Sequence, residues 1–301
     1  MYKKKNIAVI GIGYWGIKIF NYLKKKKNYN IKYIYTRKKI NIKNNTQNLQ
    51  IIKNDNSVKE VFLITPIDTH YNLAKYFDNK VLFIEKPLSL EYKNSLKLLK
   101  KKKIFVDYLY RYSDSINKIK KIKENKTLGK LKNININISQ IGRFNKFDVN
   151  YLLNSHALSI LSIFTDIKKI NYNVYPNFLN KGKVTDLNIN FISKKINGNI
   201  FLSLNSIYKK FNLLFIFEKG SVELIKFENF SRLKISKYDR DIETKIKFKE
   251  FILDENNNLN YSINAFISKK SKSYNEENIK IAYVLEKIEK MIYKKKVFFD
   301  K

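Results

Sequence analysis

The segment that most constrains the fold lies near the start of the chain and reads NIAVIGIGYWGIKIF, residues 6–20. An apolar run leads into three glycines in G-x-G-x-x-G spacing, Gly11, Gly13 and Gly16, and apolar residues at helical spacing follow. A buried strand, a glycine turn and a helix in this order form the phosphate cradle of dinucleotide-binding folds. The first glycine permits the turn, the second lets backbone approach a pyrophosphate, and the third allows close helix packing.

The same segment has a second interpretation, because lysines ahead of an apolar run also begin secretory signals. No small-residue cleavage site follows, however, and Lys18 interrupts the apolar run. Removal of the segment would also deprive the next strand, IKYIYT, of its partner in the sheet. We therefore favour the dinucleotide turn, and the lack of a targeting segment predicts a cytoplasmic location.

Strand-like and helix-like runs alternate over the first hundred residues. EVFLITP, VLFIEKP and IFVDYLY are short apolar runs typical of buried strands, and YNLAKYF and SLEYKNSLKLLKKK between them have helical spacing. This βαβ rhythm predicts a doubly wound parallel sheet. We expect an α/β Rossmann domain over residues 1–107.

The pattern changes in the second part of the chain. In LKNININISQ the isoleucines 134, 136 and 138 alternate with asparagines, which indicates a strand with one solvated face. Similar strands follow, one hairpin turns at EKGS, and a helix with acids in its first turn and lysines in its last closes the chain. These features predict an α+β domain with a mostly antiparallel open sheet over residues 108–301.

Composition restricts the function classes. The formal net charge of +35 suggests a polyanionic partner, but the lysines are spread along the whole chain and accompany no nucleic-acid-binding motif. We therefore expect no specific nucleic-acid partner. No apolar run is long enough to span a membrane, and we expect no membrane partner. We also expect no metal, since the chain has no cysteine and two histidines.

Two further motifs end predicted strands, where ligands bind in parallel sheets. They are TPIDTH at 65–70 and EKP at 85–87. Together with GIGYWG and with NSHALSIL at 154–161, they resemble the Gfo/Idh/MocA family (glucose-fructose oxidoreductase, inositol dehydrogenase and MocA). The chain has few prolines and histidines, and four of them, Pro66, Pro87, His70 and His156, fall on these motifs.

The resemblance implies hydride transfer between a nicotinamide and a secondary alcohol or ketone of a sugar. Lys86 would be the general acid and base and His156 would share its proton relay or hold the substrate hydroxyl. The cofactor-binding residues implied are Gly11, Gly13, Tyr14, Trp15, Gly16, Thr36, Arg37, Thr65, Pro66, His70 and Glu85. The substrate-binding residues implied are Lys86, Arg143, Lys146, Asn154 and His156.

The end of the second predicted strand bears on the choice of cofactor. NAD-binding folds usually place an acid there for the ribose hydroxyls, whereas this chain has Thr36 followed by Arg37. A cation without an acid favours a 2′-phosphate. We expect NADP(H), with NAD(H) as the alternative.

The resemblance further implies a nucleotide-linked or surface-polysaccharide sugar as substrate, and a homodimer or homotetramer. Three positions depart from the family, because acids common around the histidine are replaced by Leu152, Ala157 and Ser159. The stretch before EVFLITP also leaves little room for a helix. These departures keep open a second hypothesis, a catalytically weakened dinucleotide-binding sensor or assembly subunit.

Overall fold

The computed structural model describes residues 4–37, 42–100, 104–141, 147–179, 183–238, 247–268 and 275–299, with side chains as far as residue 295. The chain forms two compact units. The first comprises Met1–Tyr108 and Ser262–Ala282, and the second comprises Leu109–Tyr261 and Tyr283–Lys301.

The first unit is built on a parallel sheet. Its six strands are β1 (Lys5–Ile10), β2 (Tyr29–Tyr35), β3 (Asn45–Thr46), β4 (Val58–Leu63), β5 (Val81–Glu85) and β6 (Ile104–Asp107). They lie in the order β3-β2-β1-β4-β5-β6, and every neighbouring pair is parallel. The chain moves outward from β1 in both directions, so the predicted doubly wound Rossmann sheet is confirmed.

The helices that connect these strands are α1 (Tyr14–Lys24), α2 (Leu49–Asn54), α3 (Ile67–Tyr76) and α4 (Tyr92–Lys100). The sequence interpretation left little room for α2, and this helix is only six residues long. Asn48 caps it, accepting a hydrogen bond from the Gln50 amide at 2.8 Å. A good cap therefore allows one helical turn where the spacing is too short for a longer helix.

The second unit carries an eight-stranded sheet and its own helices. Its strands are β7 (Leu131–Ile141), β8 (Asn171–Leu179), β9 (Lys183–Ile192), β10 (Asn197–Ser203), β11 (Asn205–Phe217), β12 (Gly220–Lys226), β13 (Phe230–Lys237) and β14 (Lys247–Asp254). The helices are α5 (Asp114–Glu124), α6 (Ser155–Phe164), α7 (Asn258–Ile267) and α8 (Asn275–Phe299), of which α7 and α8 each contribute residues to both units.

The strand order of this second sheet is β14-β13-β12-β11-β7-β10-β9-β8. Only the central β7–β10 pair is parallel, so the predicted mostly antiparallel sheet is confirmed. On β7 the side chains of Ile134, Ile136 and Ile138 are buried, as their alternation with asparagine predicted.

Aromatic packing ties the C-terminal part of the chain to the first unit. The ring of Phe266, on α7, lies 5.3, 5.5 and 5.6 Å from the rings of Phe62, Phe83 and Phe105. These three rings follow one another across β4, β5 and β6, so α7 closes one face of the parallel sheet. No helix in the described parts of the chain is both long and apolar enough to cross a membrane.

Candidate active site

The glycine turn between β1 and α1 has the geometry of a phosphate cradle. Gly11 has a φ of +96°, and a Cβ at this position would lie 2.2 Å from the carbonyl oxygen of Ile64. A Cβ on Gly16 would lie 2.1 Å from the carbonyl oxygen of Gly11. A Cβ on Gly13 would meet nothing within 4 Å. The first and third glycines are therefore required by packing, whereas the second leaves open space over the backbone.

Helix α1 starts directly at this open space. Gly13 is its N-cap residue, no side chain caps the helix, and its first turn contains no acid. The amide groups of a helix N-terminus carry partial positive charge and bind phosphates. The residues present therefore fit the diphosphate of a dinucleotide.

The position that selects between the two nicotinamide cofactors follows β2. Thr36 is half-buried and Arg37 is exposed, and no acid stands at either position. The side chain of Arg37 is thus accessible to a ligand phosphate.

The turn after β4 and the turn after β5 are joined through His70. This histidine, on α3, is buried, and its Nδ1 and Nε2 atoms lie 2.9 Å from the Pro87 carbonyl oxygen and 2.8 Å from that of Thr65. Burial lowers the pKa of His70, and the two carbonyl groups oppose the shift. Thr65 in turn lies 2.7 Å from the Thr69 hydroxyl. The cofactor contacts implied for Thr65, Pro66 and His70 stay predictions, and the structure places His70 between two backbone segments.

Three ionisable side chains cluster at the carboxyl ends of β5 and β6. Glu85 ends β5 and pairs in register with Asp107, which ends β6. Lys86 follows Glu85, and the peptide bond from Lys86 to Pro87 is cis. Burial lowers the pKa of Lys86 to about 8, although the charges of Glu85 and Asp107 raise it. Burial also raises the pKa of Asp107 to about 6. A lysine with a pKa near neutrality can both donate and accept a proton.

Trp15 connects this cluster to the glycine turn. Its indole N–H donates a hydrogen bond to the Glu85 carboxylate, whose pKa is raised by burial and by the Asp107 charge. Tyr14 beside it is exposed, with Lys18 Nζ 4.7 Å from its ring. The phosphate cradle and Lys86 therefore belong to one continuous arrangement within the first unit.

Sequence reasoning missed Asp107 and the partner that holds it. Asp107 is buried, and Ser262 on α7 donates a hydrogen bond to its Oδ1 atom. The position of Asp107 at the end of a parallel strand was the available signal, since such ends carry the ligand-binding residues. No sequence signal pointed to Ser262, which lies 155 residues further along the chain.

In the second unit, His156 is the second residue of α6 and is half-buried. Its ring lies 5.0 Å from that of Tyr110, over which Lys226 places its Nζ at 4.9 Å. Lys226 forms an ion pair of 3.2 Å with the buried Glu255. Burial raises the pKa of Glu255, but the Lys226 charge and hydrogen bonds from Ser231 and others lower it more. Glu255 therefore stays ionised next to Lys226.

The remaining predicted substrate residues differ in their placement. Asn154 is fully buried in a π-helical turn ahead of α6, where its Nδ2 donates to Asn150 Oδ1 at 2.9 Å. Such turns often occur at functional sites. Arg143 and Lys146 lie outside the described residues. Substrate contacts of all three stay predictions.

The N-terminal part of the chain matches a known protein family. Residues 5–107 match the profile of the Gfo/Idh/MocA group, described as an oxidoreductase family with an NAD-binding Rossmann fold. This match supports a nicotinamide cofactor. Among curated protein sequences, none matches the chain significantly.

Solved structures share the fold over nearly the whole chain at low sequence identity. The yvaA protein of Bacillus subtilis, provisionally named an oxidoreductase, has a TM-score of 0.81 and 16% identity, with 98% of each chain covered. A provisionally named NADPH-dependent oxidoreductase of Desulfitobacterium hafniense has a TM-score of 0.81 and 12% identity, with 98% and 97% covered. KijD10, a 3-ketoreductase of Actinomadura kijaniata solved with NADP and TDP-benzene, has a TM-score of 0.82 and 11% identity, with 96% and 98% covered.

Proposed function

We propose that this chain, whose residues 5–107 match the Gfo/Idh/MocA family of oxidoreductases, transfers a hydride between NADP(H) and a sugar. The reacting group would be a secondary alcohol or its ketone. We assign dinucleotide binding to residues 1–107 and substrate binding to residues 108–301. By resemblance, we also propose a cytoplasmic homodimer or homotetramer.

The observation that carries the proposal is that the glycine turn after β1 and Lys86 after β5 both stand at the carboxyl ends of strands in one parallel sheet. Trp15, on the helix that begins at the glycine turn, also interacts with Glu85, the residue just ahead of Lys86. A dinucleotide cradle and a lysine able to exchange a proton near neutral pH are the two parts that alcohol–ketone interconversion requires. Both are present in one compact unit.

The roles that we propose for the chain's own residues come from the family resemblance. The bound nicotinamide would supply or accept the hydride. Lys86 Nζ would donate a proton to the carbonyl oxygen during reduction and accept the hydroxyl proton during oxidation. His156 would orient the substrate hydroxyl or take part in the same relay. Glu85 would position Lys86.

A titration with the two reduced dinucleotides tests the cofactor assignment. We expect NADPH to bind about tenfold or more tightly than NADH, because the Arg37 guanidinium can pair with the 2′-phosphate. Nicotinamide fluorescence measures both affinities. The Arg37→Ser variant should bring them close together, and Lys75→Ser, which removes an exposed cation on α3, should not.

Two outcomes would contradict this assignment at different levels. Equal affinities in the unmodified protein would remove the NADP(H) preference only. Failure to bind either dinucleotide would overturn the oxidoreductase proposal as a whole.

A substrate panel tests the class of sugar. KijD10, which shares the fold, is a 3-ketoreductase crystallised with a TDP-linked ligand, and the GYWG and HALSIL motifs resemble the branch that acts on nucleotide-linked sugars. We expect kcat/KM for UDP- or TDP-sugars to exceed that for free aldoses and inositols by about tenfold or more. Turnover confined to the unactivated sugars would refute this part.

The sensor or assembly subunit remains a second candidate function. Leu152, Ala157 and Ser159 stand where acids would orient the histidine, so the proton relay in the second unit lacks those partners. Normal NADPH binding without turnover of any member of the panel would support this candidate over the enzyme.

A further inference from the structure

We infer that Asp107, held by Ser262, is the positioning carboxylate that stabilises the Lys86 ammonium and so governs its proton transfer. The effect on catalysis rests on the proposed function. The ion pair that we infer between Asp107 and Lys86 does not, and it can be tested without a substrate.

The placement of Asp107 comes from strand register. Asp107 and Glu85 are directly paired in neighbouring parallel strands, so their side chains project from the same face of the sheet. Lys86 is the next residue along the chain. A carboxyl group at the end of β6 is therefore brought next to the Glu85–Lys86 pair by the hydrogen-bonding of the sheet itself.

The hydrogen bonds of Asp107 satisfy only one of its oxygens. Oδ1 accepts from the Ser262 hydroxyl. Oδ2 is buried and has no hydrogen-bond partner among the described residues, and the side chain is 1% exposed. A buried carboxylate oxygen without a donor is costly unless a cation compensates its charge. Lys86 is the cation whose charge acts on Asp107.

The pKa values of the cluster agree with an ionised Asp107 beside a charged Lys86. Burial and the Asp107 charge raise the pKa of Glu85 against the opposing Lys86 charge, and burial raises the pKa of Asp107 to about 6 against the Ser262 hydrogen bond and the Lys86 charge. Two carboxyl groups this close cannot both ionise easily. At neutral pH Asp107, with a pKa of about 6, and Lys86, with a pKa of about 8, both carry their charges.

Asp107 is a carboxylate beside Lys86 itself. The three positions around His156 where the family commonly has acids hold leucine, alanine and serine. Asp107 supplies a negative charge directly to the lysine instead. Its support comes from α7, whose packing on β4, β5 and β6 brings Ser262 to the end of β6.

The pH dependence of Lys86 reactivity tests the pair. Limiting acetic anhydride labels deprotonated amines, and peptide mass spectrometry reads the acetylation of Lys86 separately between about pH 6 and about pH 10. The unmodified protein should show a midpoint near 8. Asp107→Asn should lower the midpoint by about one pH unit or more, because loss of a nearby opposite charge disfavours the ammonium.

Two variants complete the experiment. Ser262→Ala should lower the midpoint by a smaller amount, because Asp107 then holds its proton more readily. Asp78→Asn, which neutralises an exposed acid in the turn after α3, should leave the midpoint unchanged. Circular dichroism establishes that each variant is folded, and if Asp107→Asn does not fold, Ser262→Ala carries the test.

An unchanged or raised midpoint in a folded Asp107→Asn variant overturns the inference, and so does an unchanged midpoint in Ser262→Ala. Because the labelling needs neither substrate nor cofactor, a lowered midpoint in a protein that turns over no sugar would support the ion pair and reject the enzyme. In an active enzyme, the loss of ketone reduction as pH rises through the Lys86 pKa should move to lower pH in Asp107→Asn.

Discussion

Replacement of Lys86 by alanine is expected to reduce turnover by about 10²- to 10⁴-fold, the range that positioned acid–base groups contribute. The variant loses the amine after β5 that can exchange a proton near neutral pH, since burial lowers the pKa of Lys86 to about 8. Binding of NADPH should change little, because the glycine turn and Arg37 are untouched. Steady-state kinetics with the best substrate of the panel, together with the fluorescence titration, measure the two effects.

Two further variants separate proton transfer from charge. Lys86→Arg keeps a positive charge but cannot release its proton, so we expect its turnover to stay low. Lys93→Ala removes an exposed lysine of α4 and should keep full activity. Full activity in Lys86→Ala would show that the acid–base assignment is wrong even if the protein is an oxidoreductase of this family.

Substitution of Gly11 by alanine is expected to lower the free energy of unfolding by about 2 to 5 kcal/mol. The left-handed backbone, with φ at +96°, is unfavourable for alanine, and the new Cβ would lie 2.2 Å from the Ile64 carbonyl oxygen. That oxygen belongs to the residue directly after β4, and the Ile64 amide donates a hydrogen bond to the Ile10 carbonyl at 2.8 Å, which restrains the backbone there. Denaturant titration followed by circular dichroism measures the change.

Gly13→Ala is the matched control for this stability prediction. Its Cβ would meet open space, so the cost should stay below about 1 kcal/mol, the usual difference at a helix N-cap. NADPH affinity, by contrast, should fall in Gly13→Ala, because the same open space is where the backbone would meet the diphosphate. If Gly11→Ala were as stable as Gly13→Ala, the close approach of the turn to β4 would be wrong.

The fold was predicted well where local periodicity is strong. Most parallel strands of the first unit contain continuous apolar runs, which indicate strands buried on both faces. Strand β7 alternates apolar and polar residues, which indicates a strand with one buried face. Strand β13 was not predicted, although Ser231 and Leu233 alternate with Arg232 and Lys234 along it. Its many charges weaken the signal, and the strand is stabilised by pairing with β12 and β14 on either side.

The candidate site was predicted only where its residues belong to local sequence motifs. The glycine spacing and the EKP tripeptide are local, and each follows a strand recognisable by itself. Asp107 has no local motif, and its relation to Glu85 depends on the register between β5 and β6. The hydrogen bond from Trp15 to Glu85 likewise depends on how α1 packs beside the sheet.

The amino-acid sequence alone determined most of the segments that become strands and helices, and the place of the glycine turn, because hydrophobic periodicity and backbone sterics act over a few neighbouring residues. Only the tertiary structure decided which side chains meet at the ends of those strands. Ser262 reaches Asp107 across 155 residues, and Ser262–Ala282 joins the first compact unit rather than the second. Such contacts depend on strand order, register and the packing of distant helices, which local sequence patterns do not encode.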